Sequence, residues 1–85
     1  MFDFFTASDF SESLESLDAA IRDQIRRKIK FLSEQQNPLL QARKLRGHKD
    51  IFRFRSGDYR IISRLEGKSI ILLFVRHRKD VYEGL

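Results

Sequence analysis

Five arginines of the second half stand where their spacing could do chemistry: Arg53, Arg55, Arg60, Arg76 and Arg78. A guanidinium presents a planar fork of donors that stays charged, and several on one surface can hold adjacent phosphates or a phosphate in transition. Tyr82 follows closely and could stack on a base or place its hydroxyl at a ribose. His77, one of 2 histidines, lies between Arg76 and Arg78 and next to Lys79 in the densest charge of the chain. No phosphate loop, paired catalytic carboxylates, Ser-His-Asp set or metal-ligand spacing is present in the sequence, so no metal and no cofactor is expected. The chemistry indicated is the handling of a phosphate-rich polymer.

The elements that must position these residues follow from period-two alternation between Lys44 and Tyr82. In Ile51-Phe52-Arg53-Phe54-Arg55 the phenylalanines share one face of a strand and the arginines the other. Ser56-Gly57-Asp58 is turn chemistry, and Tyr59 to Leu65 returns with Arg60, Ile62 and Arg64 on one side. After Glu66-Gly67-Lys68, a third strand from Ser69 to about Arg76 is apolar on both faces, which places it inside the sheet. Arg53, Arg55 and Arg60 thus face one way, and Arg78 has the parity to join them if no bulge intervenes. Upstream, Phe2 to Thr6 reads as a strand of the same sheet. Ser8 is the expected N-cap of a first helix with the stripe Phe10, Leu14, Leu17. Asp18 opens a second helix with the stripe Ile21, Ile25, Ile29, Leu32, ending near Gln35-Gln36-Asn37-Pro38. The helical pair is expected to cover the face bearing Phe52, Phe54 and Tyr59, leaving the arginine face open. Leu39 to Lys44 carries no pattern that assigns it.

Length and charge narrow the class. The 85 residues suffice for one domain with a small core. With no cysteine there is neither a disulfide framework nor a thiolate metal site. No apolar run reaches the ~20 residues of a membrane span, and no basic-then-apolar leader opens the chain; the expected location is the cytoplasm. Lys and Arg outnumber Asp and Glu by 17 to 12, a balance that suits a polyanionic partner. Asp3, Asp9, Glu12, Glu15, Asp18 and Asp23 all precede Ile25, so the basic surplus lies on the later strands.

Three segments carry a family likeness: Lys44-Leu45-Arg46-Gly47, Phe52 through Ile62, and His77-Arg78-Lys79-Asp80-Val81-Tyr82. In this order and spacing they resemble the RelE/ParE toxin superfamily, in its RelE branch. The resemblance implies a single toxin domain over residues 1–85. It implies an α+β fold: a small antiparallel sheet with a mixed edge and an N-terminal two-helix hairpin on one face, in the order β-α-α-β-β-β. It also implies a ribosome-dependent endoribonuclease that cuts messenger RNA in the A site, using the ribose 2′-hydroxyl as nucleophile. Carried over by position, Arg55, Arg60, Arg78 and Tyr82 are the expected catalytic residues; Arg53, Arg76, His77 and Lys79 are expected to bind RNA phosphates. Arg53 and Arg55 stand where RelE itself has lysines. An arginine is a poor proton acceptor, so proton removal falls to His77, to Tyr82 or to the ribosome. The implied partners are mRNA, the ribosome and a cognate antitoxin anchored on apolar surface of the sheet rim or helical hairpin. Two other activities fit the superfamily: inhibition of DNA gyrase, as in its ParE branch, and binding without catalysis.

Overall fold

The computed structural model describes residues 1–80. Its frame is a pair of two-residue hairpins. Strand β3 (Ile51–Ser56) turns through Gly57-Asp58 into β4 (Tyr59–Glu66), which turns through Gly67-Lys68 into β5 (Ser69–His77). Each turn opens on a glycine at φ 60°, the type II′ pattern, whose twist matches that of the flanking strands. Strand β1 (Asp3–Thr6) pairs parallel to β5, and β2 (Ala42–Lys44) pairs antiparallel to β3. The 5-stranded sheet runs β1-β5-β4-β3-β2, so β5 lies inside it as its two-sided apolar run requires, and β1 supplies the mixed edge.

Helices α1 (Ser8–Glu15) and α2 (Ala19–Ser33) cover one face. Phe10 and Leu14 from α1 and Ile25 and Leu32 from α2 are buried with Phe54, Ile61, Ile70, Leu72 and Val75 of the sheet. This is the face predicted from the phenylalanine parity. Ser8 is the first helical residue rather than the cap, since extended Ala7 holds the N-cap position; Asp18 occupies the N-cap of α2 as expected, without a side-chain capping bond. α2 stops at Ser33, and the chain passes through a single 3-10 turn, Pro38–Gln41, into β2.

The opposite face is only partly open, which corrects the expectation from alternation. Leu45 and Ile62 are buried there, with Ile51, Leu73 and Phe74 packed against them. The segment 45–50 folds back over the sheet: the Leu45 N–H donates to the Ile51 carbonyl at 2.9 Å, and Gly47 and Asp50 adopt positive φ. A second small core therefore closes this end, and the arginine end stays free.

Strands β4 and β5 also slip by one residue. Ser63 pairs with Leu72 but Ile62 pairs with Phe74, so Leu73 is an extra residue in β5. Side chains beyond the bulge exchange faces relative to a regular ladder. Arg76 thereby lies opposite Arg60, and His77 opposite Tyr59. The bulge sits beside Ser63, which is 1 % exposed and whose hydroxyl has no hydrogen-bond partner among the described residues.

Two substitutions test this packing by urea denaturation. Phe54→Ala should cost about 3–5 kcal/mol, because it empties the fully buried centre of the main core. Ser63→Ala should instead raise stability by up to about 1 kcal/mol, by removing an unpaired buried hydroxyl.

Candidate phosphate-binding site

At the open end of the second face, Arg43, Arg53, Arg55 and Arg60 line a cavity of about 250 Å³. The sheet register sets their order. Arg43 on β2 faces Arg53 on β3, Arg55 on β3 faces Arg60 on β4, and Arg60 faces Arg76 on β5. The β3–β4 turn also holds two of them directly. Its Gly57 carbonyl accepts from Arg55 Nε at 3.3 Å and from Arg60 Nη1 at 3.0 Å, and Arg60 Nη1 donates further to the Tyr59 carbonyl at 3.1 Å. Gln24 Nε2 of α2 donates to the buried Ser56 hydroxyl at 3.3 Å, fastening the turn to the helical layer.

Arg76 and Arg78 extend the cluster from β5. The Arg76 guanidinium lies 4.5 Å from the centre of the Phe74 ring, and its Nη1 donates to the Val75 carbonyl at 3.0 Å. Arg78 lies just past β5, where its backbone N–H donates to the Asp58 carbonyl at 2.8 Å and its Nε stands 3.8 Å from the Asp58 carboxylate.

So many cations in one place oppose each other. Arg60 is held below arginine's usual pKa, first by burial and then by the charges of Arg55, Arg53 and Arg78, with Asp58 acting in the opposite sense. An anion in the groove would reverse both effects, restoring hydrogen bonds that burial removes and neutralising the repulsion. The lining arginines can bind and stabilise negative charge, but they do not accept a proton. Among the described residues, no group of three His, Cys, Asp or Glu side chains could hold a metal ion, and no helix is long and apolar enough to cross a membrane.

The structure brings together Arg53, Arg55, Arg60, Arg76 and Arg78, the last two because a bulge intervenes and not, as expected for Arg78, in its absence. It does not bring together every residue singled out from sequence. His77 points to the helix side: its ring meets Tyr59 edge-on at 5.3 Å, and its Nδ1 accepts the Lys79 N–H at 3.2 Å. The expectation of a histidine within the arginine cluster is therefore corrected, and the cause is the bulge at Leu73. Lys79 is exposed in the turn after β5. Tyr82 lies outside the described residues. Arg43 was not anticipated, because three residues of β2 are too few to show a period.

Residues 6–82 match the family described as ParE toxin of type II toxin-antitoxin system, parDE. The chain belongs to that family, and with it to the RelE/ParE toxin superfamily of toxin-antitoxin systems. It is 36% identical over 66 residues to toxin RelE3 of Methanocaldococcus jannaschii, covering 69% of this chain and 75% of that protein. Among solved structures, it resembles a chain of the RelB-RelE antitoxin-toxin complex from Methanococcus jannaschii, with TM-score 0.78 and 28% identity over 95% of this chain and 98% of the other. A chain of the archaeal RelE-RelB complex from Pyrococcus horikoshii OT3 aligns with TM-score 0.71 and 25% identity, covering 91% and 94% of the two chains.

The self-repelling groove makes a prediction independent of any enzymatic assay. At equal ionic strength, sulfate or inorganic phosphate should raise the melting temperature more than chloride does. Anion at ten times its dissociation constant contributes about 1.4 kcal/mol. Differential scanning calorimetry should show this increment shrinking in Arg60→Gln, which removes a guanidinium that burial and its neighbours hold below its usual pKa.

Proposed function

We propose that this type II toxin is an endoribonuclease that cuts messenger RNA within the ribosomal A site and so arrests translation. The observation that carries this reading is the groove lined by Arg43, Arg53, Arg55 and Arg60, on the sheet face that the helices leave uncovered. The 2′-hydroxyl of a bound ribose would attack its own 3′ phosphate, and the products would be a cyclic phosphate and a free 5′-hydroxyl. We assign Arg55 and Arg60 to the phosphate on which charge builds. Arg78 would stabilise that charge or the leaving oxygen, and Tyr82 would orient the substrate by stacking. Arg53, Arg76 and Lys79 would hold the flanking backbone. With His77 turned toward Tyr59, we assign proton removal to Tyr82 or to a group of the ribosome.

Neutralisation of the basic groove calls for a partner. By analogy with the RelB-RelE complexes, a cognate antitoxin would bind this chain. Phe5 on the edge strand β1 and Phe31 on α2, which are 53% and 44% exposed, are suitable apolar anchors on the rim and the hairpin.

Primer extension on a defined message in a purified translation system tests the reading. New ends should appear only when ribosomes are present. Arg60→Ala and Arg78→Ala should each reduce cleavage by about 10²–10³-fold, the scale for loss of one group that stabilises developing charge. A message left intact by the unaltered protein would overturn ribonuclease action and favour gyrase inhibition, the ParE-branch activity.

A further inference from the structure

The arginines of the groove stand in two rows. One row crosses β3, β4 and β5 as Arg55, Arg60 and Arg76, and the other crosses β2 and β3 as Arg43 and Arg53. Within a row, neighbouring strands lie about 4.8 Å apart, so adjacent guanidinium groups can share one anion. Between rows, Arg53 and Arg55 are two residues apart on β3, a separation of about 7 Å along the strand. That is the order of the spacing between successive phosphates of an extended nucleic-acid strand.

Arg43 makes the second row more than a single charge. It is exposed, and none of the ion pairs among the described residues involves it. Its strand neighbours Ala42 and Lys44 pair with Phe54 and Phe52 and lie on the helix side, so Arg43 is the one side chain that β2 contributes to the groove. Like charges directly opposite on neighbouring strands cost stability. An anion between Arg43 and Arg53 can accept from both guanidinium groups.

We propose that Arg43 and Arg53 form a second phosphate subsite, beside that of Arg55, Arg60 and Arg76, so that the groove takes two consecutive phosphodiesters of a single RNA strand. This rests on the ribonuclease reading of the same groove. Arg43 is a binding residue in it, holding the phosphate next to the scissile one.

Equilibrium binding of short RNAs with 2′-O-methyl riboses, which block cleavage, tests the subsite without ribosomes. By NMR titration, a trinucleotide with two phosphodiesters should bind about tenfold more tightly than a dinucleotide with one. Arg43→Gln should abolish most of that advantage, weakening the trinucleotide several-fold more than the dinucleotide. It should also reduce the dependence of log K on log salt for the trinucleotide by ~0.7, the value for one phosphate contact on a single strand. Arg27→Gln, which removes an exposed charge on α2, should retain the advantage. In the unaltered protein, the Arg43 Nε resonance should shift with the trinucleotide only. Equal weakening of both RNAs by Arg43→Gln, or no weakening, would overturn the subsite. Message cleavage without a trinucleotide advantage removes the subsite and leaves the ribonuclease. An advantage that depends on Arg43, without cleavage, removes the ribonuclease and leaves a two-phosphate groove.

Discussion

The two-residue turn at Gly57-Asp58 fixes the register of β3 against β4, and through it the character of both faces of the sheet. With Ser56 opposite Tyr59, Phe54 meets Ile61 under the helices and Arg55 meets Arg60 on the other side. A slip of one residue would drive arginines into the core and phenylalanines into water. The same turn aims the groove, because the Gly57 carbonyl holds both Arg55 and Arg60. It is also tied to α2 through Gln24 and Ser56. Core and site thus share one piece of backbone.

A cluster of like charges works against folding, and the fold offsets it locally. Apolar burial on both sides of β4, with Ile61 in one core and Ile62 in the other, holds the strand in place whatever its arginines do. Phe74 gives the Arg76 guanidinium an aromatic face, and Asp58 offers Arg78 an opposite charge. The result is a preorganised cluster of cations whose charge and geometry suit an anion.

Much of this was legible in the sequence where polar and apolar residues alternate. Arg53 and Arg55 against Phe52 and Phe54, and Arg60 against Tyr59 and Ile61, read directly as two faces. The helical stripes of Phe10 and Leu14 and of Ile25 and Leu32 gave the covering layer. Legibility ended where the pattern has no period. From Ile70 to Val75 every residue is apolar, so nothing marks Leu73 as extra, and the parity of all that follows was open to error. A regular ladder from the Gly67 turn would set Arg60 against Val75 and turn His77 toward the arginines. The bulge is what presents Arg76 instead. Arg43 was hidden by brevity, and Leu45 by a loop whose return over Ile62 depends on contacts distant in sequence.

The pairing of β1 with β5 joins the first and the last strands of the described residues. During synthesis the chain emerges with its N-terminal residues first, so β1 must wait for β5 before its edge is satisfied. The arginine cluster likewise draws its members from positions 43 to 78. A nascent chain whose β5 is still inside the ribosome has neither a complete sheet nor an assembled cluster of charge. The order of the strands therefore delays assembly of the arginine cluster until β5 has left the ribosome.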